Sequence, residues 1–216
     1  MRLVVGLGNP GPGYTFNRHN VGFLAADTIV RRHGFGPWRT RFQGVASEGE
    51  LAGEKVIVLK PETFMNESGR SVAAAAQFYK LPLDQILVIH DEIDLVAGKV
   101  RVKQGGGAAG HNGLRSIDAH LGPDYWRVRL GVGHPGVPEL VRPYVLQNFA
   151  KDEQPLISTM IEATVQALPL LIAGDANGFM SKVDLAVNPP KPKPPRPGKS
   201  DVKSEPGNGP DSDPAT

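Results

Sequence analysis

Ile86-Leu87-Val88-Ile89-His90-Asp91-Glu92 is the stretch on which the reading of this chain turns. Four apolar residues run without a polar interruption, and then three ionisable residues follow at once. An uninterrupted apolar run of this length marks a strand buried on both faces, which places it inside a sheet with helices above and below. In open α/β sheets the ligand site lies at the carboxyl ends of the strands. His90-Asp91-Glu92 therefore stands where a site is expected.

Working outward, the chain alternates strand and helix patterns. Leu3-Val4-Val5-Gly6-Leu7 is a second buried strand that ends in glycine and proline, and Val21, Leu24, Ala25, Thr28 and Ile29 then recur at helical spacing until Gly34. Residues 42–60 read as a hairpin, Gly44-Val45-Ala46 and Val56-Ile57-Val58-Leu59 around a turn near Ala52-Gly53-Glu54. A helix is expected over Ser68 to Tyr79 and another over Leu114 to Leu121. Val100-Arg101-Val102-Lys103 and Trp126-Arg127-Val128-Arg129-Leu130 alternate, as half-exposed strands do. Ile157 to Ile172 is a long amphipathic helix made irregular by Pro169. The expected fold is α/β: a single domain with a twisted mixed sheet flanked by helices.

Composition changes sharply after Val187. Between Asn188 and Thr216 there are nine prolines, three glycines and two hydrophobic residues, Val202 and Ala215. Such a segment buries too little apolar surface to offset the entropy of ordering it. Residues 1–187 are thus expected to form the folded domain and 188–216 a disordered Pro/Lys-rich tail. With 24 Lys+Arg against 22 Asp+Glu, any nucleic-acid partner must be argued from local patches and not from net charge. The absence of cysteine excludes a disulfide scaffold, a thiolate nucleophile and Cys-ligated metals. Apolar runs are short of a membrane span and the N-terminus turns glycine-rich too early for a signal-peptide core, so a cytoplasmic protein without membrane attachment is expected.

Gly6-Leu7-Gly8-Asn9-Pro10-Gly11 matches the dinucleotide fingerprint G-x-G-x-x-G, but the context is wrong. Pro10, Gly11, Pro12 and Gly13 keep the chain irregular where a helix should open on a pyrophosphate, and no acidic residue closes a second strand. What remains is a rigid loop that sets Asn9 at the end of a buried strand. His19 follows that loop, and Asn66 follows the strand ending at Leu59. The run Gly105-Gly106-Gly107-Ala108-Ala109-Gly110, following another strand, delivers His111-Asn112 to the start of a helix.

These residue types limit the chemistry. Histidine takes a proton near neutrality, and a partnered aspartate fixes its tautomer and stabilises the imidazolium. Asparagines orient water or an oxyanion without adding charge. No G-x-S-x-G elbow is present, and Ser68, Ser71 and Ser116 fall in or beside helical patterns. The expected nucleophile is water acting on an activated acyl bond. Plainer roles remain open for each residue: a surface or structural His19, Asp91 capping a loop, Asn66 and Asn112 capping helices. His90-Asp91-Glu92-Ile93-Asp94 offers metal ligands, yet no second histidine stands at ligand spacing, so neither metal nor cofactor is expected.

Taken together, five segments resemble bacterial peptidyl-tRNA hydrolases. They are Leu3–Gly11 with Tyr14 and Arg18-His19-Asn20-Val21-Gly22; Lys60-Pro61-Glu62-Thr63-Phe64-Met65-Asn66-Glu67-Ser68-Gly69; His90-Asp91-Glu92-Ile93-Asp94-Leu95; Gly105–Ile117; and Arg129-Leu130-Gly131-Val132-Gly133-His134-Pro135. Tyr144-Val145-Leu146-Gln147-Asn148-Phe149 is similar to a later family segment. The resemblance implies an esterase that frees tRNA from peptidyl-tRNA lost by ribosomes, acting as a metal-independent monomer. It implies His19 as general base and Asp91 as its orienting partner. Asn9, Tyr14, Met65, Asn66, His111 and Asn112 are implied at the substrate, with Lys103 and Arg129 on tRNA phosphates. Lys99, Arg101 and Lys103 on one strand, and Arg127 and Arg129 on another, alternate and so share a face suited to phosphate. The rival reading is a non-catalytic RNA-binding module of the same fold. Asn17 departs from the family's usual threonine, and the tail lies outside the family pattern.

Overall fold

A computed structural model describes residues 1–190. Seven strands are present: β1 (Arg2–Gly6), β2 (Arg39–Arg41), β3 (Gly44–Leu51), β4 (Glu54–Pro61), β5 (Ile86–Glu92), β6 (Val100–Gln104) and β7 (Trp126–Gly131). Six α-helices join them: α1 (Val21–Arg32), α2 (Ser68–Tyr79), α3 (Asn112–Leu121), α4 (Val141–Val145), α5 (Gln154–Ile172) and α6 (Ala176–Val187). One mixed sheet runs in the order β2-β3-β4-β1-β5-β7-β6. Its centre, β4-β1-β5-β7, is parallel, while β2, β3 and β6 pair antiparallel at the flanks. Parallel strands need covered faces, and every residue of β5 is buried.

Alternation along the central strands feeds two cores. Val4, Val58, Ile89, Val128 and Leu130 point to the layer of α1, α5 and α6. Leu3, Val5, Ile57, Leu59, Ile86 and Val88 point to the layer of α2 and α3. The second layer is narrower. Beyond β5 it leaves the outer face of β6 uncovered, where Arg101 and Lys103 are exposed. A polar strand face is stable there because water, not a helix, lies against it.

Helix α5 is long and apolar enough to pass for a membrane span. Over half of its residues are buried inside the domain against α1 and α6, as in a core helix. Pro169 interrupts it without a break. The proline lacks the N–H that would bond Val165 O, and His33 Nε2 donates to that carbonyl instead at 2.9 Å.

The expected elements are all present, with α3 beginning at Asn112. Strand β2 and helices α4 and α6 are additional. Helix α6 ends at Val187, and of the expected tail only residues 188–190 are described; its remainder lies outside the described residues.

Candidate active site

Four parallel strands deliver their carboxyl ends to one edge, and the site is assembled there. After β1 the chain runs through Asn9 and a 3-10 turn at Pro12–Tyr14, then through a second at Arg18–Asn20 directly into α1. Gly22, in the first turn of α1, lets the helix approach the sheet closely. A β-carbon there would overlap Leu7 N and Ile89 O. That close approach seats His19 against Asp91 near the end of β5.

Asp91 is the hub. His19 Nδ1 lies 2.9 Å from one carboxylate oxygen and 3.0 Å from the other, and His111 Nε2 lies 3.0 Å from the first. The backbone decides the tautomer of His111. Its Nδ1 accepts from the amides of Gly113 and Leu114, capping α3, so its proton sits on Nε2 and is donated to Asp91. A carboxylate only accepts, so His19 likewise presents Nδ1–H and leaves its Nε2 lone pair available. Burial works against the Asp91 charge, but His19 and His111 hold its carboxyl well below the ordinary 3.8. Burial also depresses His19, yet the charge and hydrogen bond of Asp91 outweigh it and the imidazole stays above 6.5.

His90, which begins the His90-Asp91-Glu92 motif, is buried on the strand face shared with Ile86 and Val88. Its Nδ1–H donates to Asp91 O at 2.7 Å, its Nε2 has no partner, and its ring lies edge-on to His111. Burial, with His111 adding to it, holds the ring at about 3, so it is neutral at physiological pH.

A cleft of about 790 Å³ opens over this hub, and it gathers all eight expected catalytic and substrate residues: Asn9, Tyr14, His19, Met65, Asn66, Asp91, His111 and Asn112. Asn9 is oriented on both sides. Its Oδ1 accepts from the Met65 amide at 2.8 Å, which leaves its Nδ2–H2 as the free donor. Asn20 clamps the Asn9 backbone by accepting from its N–H at 3.0 Å and donating to its carbonyl at 2.9 Å. Asn66 and Asn112 are exposed and cap nothing, since His111 caps α3 and no side chain caps α2.

Three sequence expectations need correction. The glycine run does not start at the carboxyl edge. Strand β6 is antiparallel, with Gln104 paired to Trp126 at the opposite edge. The loop must cross the sheet face to bring His111 to Asp91, and Arg127 holds it midway, Nη1 donating to Gly107 O at 2.7 Å. Arg127 is accordingly not part of an exposed basic face. It is 1% exposed and also donates to Asp118 and Pro123 O. Finally, a second histidine does stand at ligand distance, brought by the fold. His19, Asp91 and His111 offer ligand atoms within 4.8 Å. The hydrogen bonds above already occupy Asp91 and both nitrogens of His111.

The basic surface lies outside the cleft. Arg101 pairs across strands with Arg129, and Lys103 with Arg127, so the four share a face, on which Arg127 alone is buried. Lys103 is exposed, with its ammonium beside Gly106. Arg129 donates to Glu92 at 3.0 Å and remains partly exposed. Lys99 instead bonds Asp184 of α6.

The wall formed by 138–146 was not anticipated; Pro138, Val141, Arg142, Val145 and Leu146 line the cleft. Arg18 ties this wall to the turn that carries His19. It bonds Glu153 at 2.6 Å and Asn148 O at 3.0 Å, and its guanidinium lies 4.2 Å from the Tyr144 ring centre. Asn17 donates to Asn148 Oδ1 at 2.8 Å at the same junction.

Residues 3–192 match the family model for peptidyl-tRNA hydrolase. A peptidyl-tRNA hydrolase of Rhodospirillum centenum is 58% identical over 191 residues, covering 88% of this chain and 84% of that protein. One from Azorhizobium caulinodans is 60% identical over 185 residues, 86% of this chain and 91% of its own length. The crystal structure of peptidyl-tRNA hydrolase from Acinetobacter baumannii superposes with a TM-score of 0.80 at 39% identity, over 85% of this chain and 94% of that one. The chain belongs to the peptidyl-tRNA hydrolase family.

Proposed function

We propose that this chain hydrolyses the ester joining a peptide to the 3′-terminal ribose of tRNA, with His19 as general base. The observation that carries the reading is the shared carboxylate. Asp91 accepts N–H from both His19 and His111, which turns the His19 Nε2 lone pair toward the cleft. A water there gives its proton to Nε2 as its oxygen attacks the ester carbonyl. The tetrahedral oxyanion forms beside neutral donors, of which the Asn9 amide is one. Collapse expels the ribose oxygen, which takes the proton back from the imidazolium. Free tRNA and a peptide acid leave, the acid then losing its proton to solvent. Asp91 stays ionised throughout and offsets the transient positive charge.

Met65, Asn66 and Asn112 hold the peptide through its backbone, as a substrate of any amino-acid sequence requires. Tyr14 lines the path of the substrate and His111 keeps Asp91 in place. Lys103 and Arg129 meet tRNA phosphates. The reading has the enzyme act in the cytoplasm as a monomer without metal or cofactor. A pure RNA-binding module has no use for a buried carboxylate held between two imidazoles, which weighs against the rival.

The test follows release of free tRNA from an N-blocked aminoacyl-tRNA with EDTA present. Wild type should turn over and His19→Ala should not, while both bind tRNA. Comparable rates in the two proteins would remove His19 from the mechanism. Binding without turnover by either would favour the binding module.

A further inference from the structure

We infer that Arg142 is a substrate-positioning residue that takes the phosphate on the 5′ side of the terminal nucleotide, the phosphate nearest the scissile ester. This inference rests on the hydrolase reading above and deepens it.

The charges that line the cleft are few. Asp91 is held by two imidazoles. Glu92 is held by Arg129 at one oxygen and by the Asp94 amide at the other. Among the described residues Arg142 is the only lysine or arginine lining the cleft, and it is exposed and makes no ion pair and no side-chain hydrogen bond there. A guanidinium is a fixed cation with five donors, so this corner of the cleft carries a positive charge with no acceptor among the described residues.

The substrate supplies the acceptor. Peptide side chains vary from one substrate to the next, so none is an invariant anion. The backbone of the nucleic acid is invariant, and its last phosphodiester lies a single ribose away from the reacting ester. A guanidinium fork matches phosphate oxygens in a bidentate way. Lys103 and Arg129 do not line the cleft and are placed for phosphates farther along the acceptor arm. Arg142 lies on the wall that Arg18 ties to the turn carrying His19. Anchoring the last phosphate there brings the ester carbonyl to His19 in one register, which is how a bound group remote from the chemistry is converted into rate.

The experiment compares two small esters, an N-blocked aminoacyl ester on the 3′-oxygen of adenosine and the same ester carrying a 5′-phosphate. The quantity read is the ratio of kcat/KM between them. Wild type should prefer the phosphorylated ester by roughly tenfold or more, the scale of one charge-assisted hydrogen bond. Arg142→Ala should bring the ratio close to one, and Arg142→Lys should recover part of it as a point charge without the fork. An unchanged ratio in Arg142→Ala overturns the assignment, as does an equal loss on both esters, which would make the residue structural. If wild type cleaves neither ester nor peptidyl-tRNA, the hydrolase reading itself falls, a result distinct from both.

Discussion

Asp91→Asn is the substitution that most directly tests how the site works. It keeps shape and volume and removes only charge and one acceptor. In the wild type one carboxylate oxygen accepts from His19 and His111 together, while the other faces His19 Nδ1 at 3.0 Å. The introduced amide can leave its oxygen in the shared position, but its NH2 then faces the His19 N–H and two donors oppose each other. The way out is for His19 to move its proton to Nε2 and accept at Nδ1. That tautomer has no lone pair for water. Losing a charge-assisted bond to the imidazolium costs about 1.5–3 kcal/mol, roughly a 10- to 150-fold loss of rate. In triads where the same change has been made, the lost charge and the wrong tautomer together reach about 10⁴, so the expected fall in kcat is about 10²- to 10⁴-fold with KM little changed.

The pH profile carries the second half of this prediction. In the wild type His19 titrates above 6.5, because the charge and hydrogen bond of Asp91 outweigh burial. With the charge removed, burial acts unopposed and the acid limb of kcat/KM should move below 6.5. The assay is single-turnover release of tRNA from N-blocked aminoacyl-tRNA across about pH 5 to 8. A variant within about threefold of wild type, or one whose acid limb stays in place, would refute the assigned role of Asp91.

Gly22→Ala should destabilise the fold by about 1–3 kcal/mol, read from urea midpoints, because the added carbon meets the backbone of Leu7 and Ile89 and not a movable side chain. A neutral result would show that α1 can withdraw without cost. Arg127→Met should cost about 1–3 kcal/mol by breaking a part-buried pair with Asp118 and leaving Gly107 O without its donor. It should also lower kcat by loosening His111, and normal turnover in the surviving folded protein would contradict that coupling. His90 is neutral in the fold down to about 3 but takes a proton near 6.5 when unfolded, so stability is lost as pH falls through that interval, by about 1.4 kcal/mol per pH unit. His19 has the opposite sign, contributing stability below 6.5 that fades as pH rises through its higher folded value. The slope is therefore best read as the difference between wild type and His90→Phe by urea unfolding between about pH 6 and 5, and equal slopes would mean His90 is not buried neutral.

The central strands were legible because burial on both faces leaves an unbroken apolar run, and the site was legible because polar residues follow those runs at once. Strand β2 has three residues, Arg39-Thr40-Arg41, too few to establish any period. Helix α6 carried a usable signal in Phe179, Val183 and Val187 four residues apart behind Asp175, whose side chain caps it through Gly178 N. Helix α4 spans five residues, buries only Val145 and holds Pro143, so its place comes from long-range contacts with Arg18 and not from periodicity. Asn20 stands in the Arg18-His19-Asn20 motif, where spacing alone gives it no role. Its two hydrogen bonds to the Asn9 backbone depend on a loop closure that spacing does not reveal.

The path of the glycine loop shows why residue type outlasted topology as a guide. The rule that sites lie at carboxyl ends led from β6 to His111, although β6 ends at the far edge. His111 reaches the site because Gly105, Gly106 and Gly110 adopt positive φ, as does Ala109, and let the chain lie across the sheet. An exposed loop of that composition would be free to wander. Buried Arg127 prevents it, since its guanidinium joins the loop at Gly107 to α3 at Asp118 and to Pro123 O in one cluster. The alternation that suggested a basic stripe was therefore real, but the layer above β7 ends over Arg127 and not before it. A charge that would have met solvent meets carbonyls and a carboxylate instead. Side-chain alternation gives the face of a strand, while the extent of the covering layer decides whether a cation on that face binds nucleic acid or holds a loop.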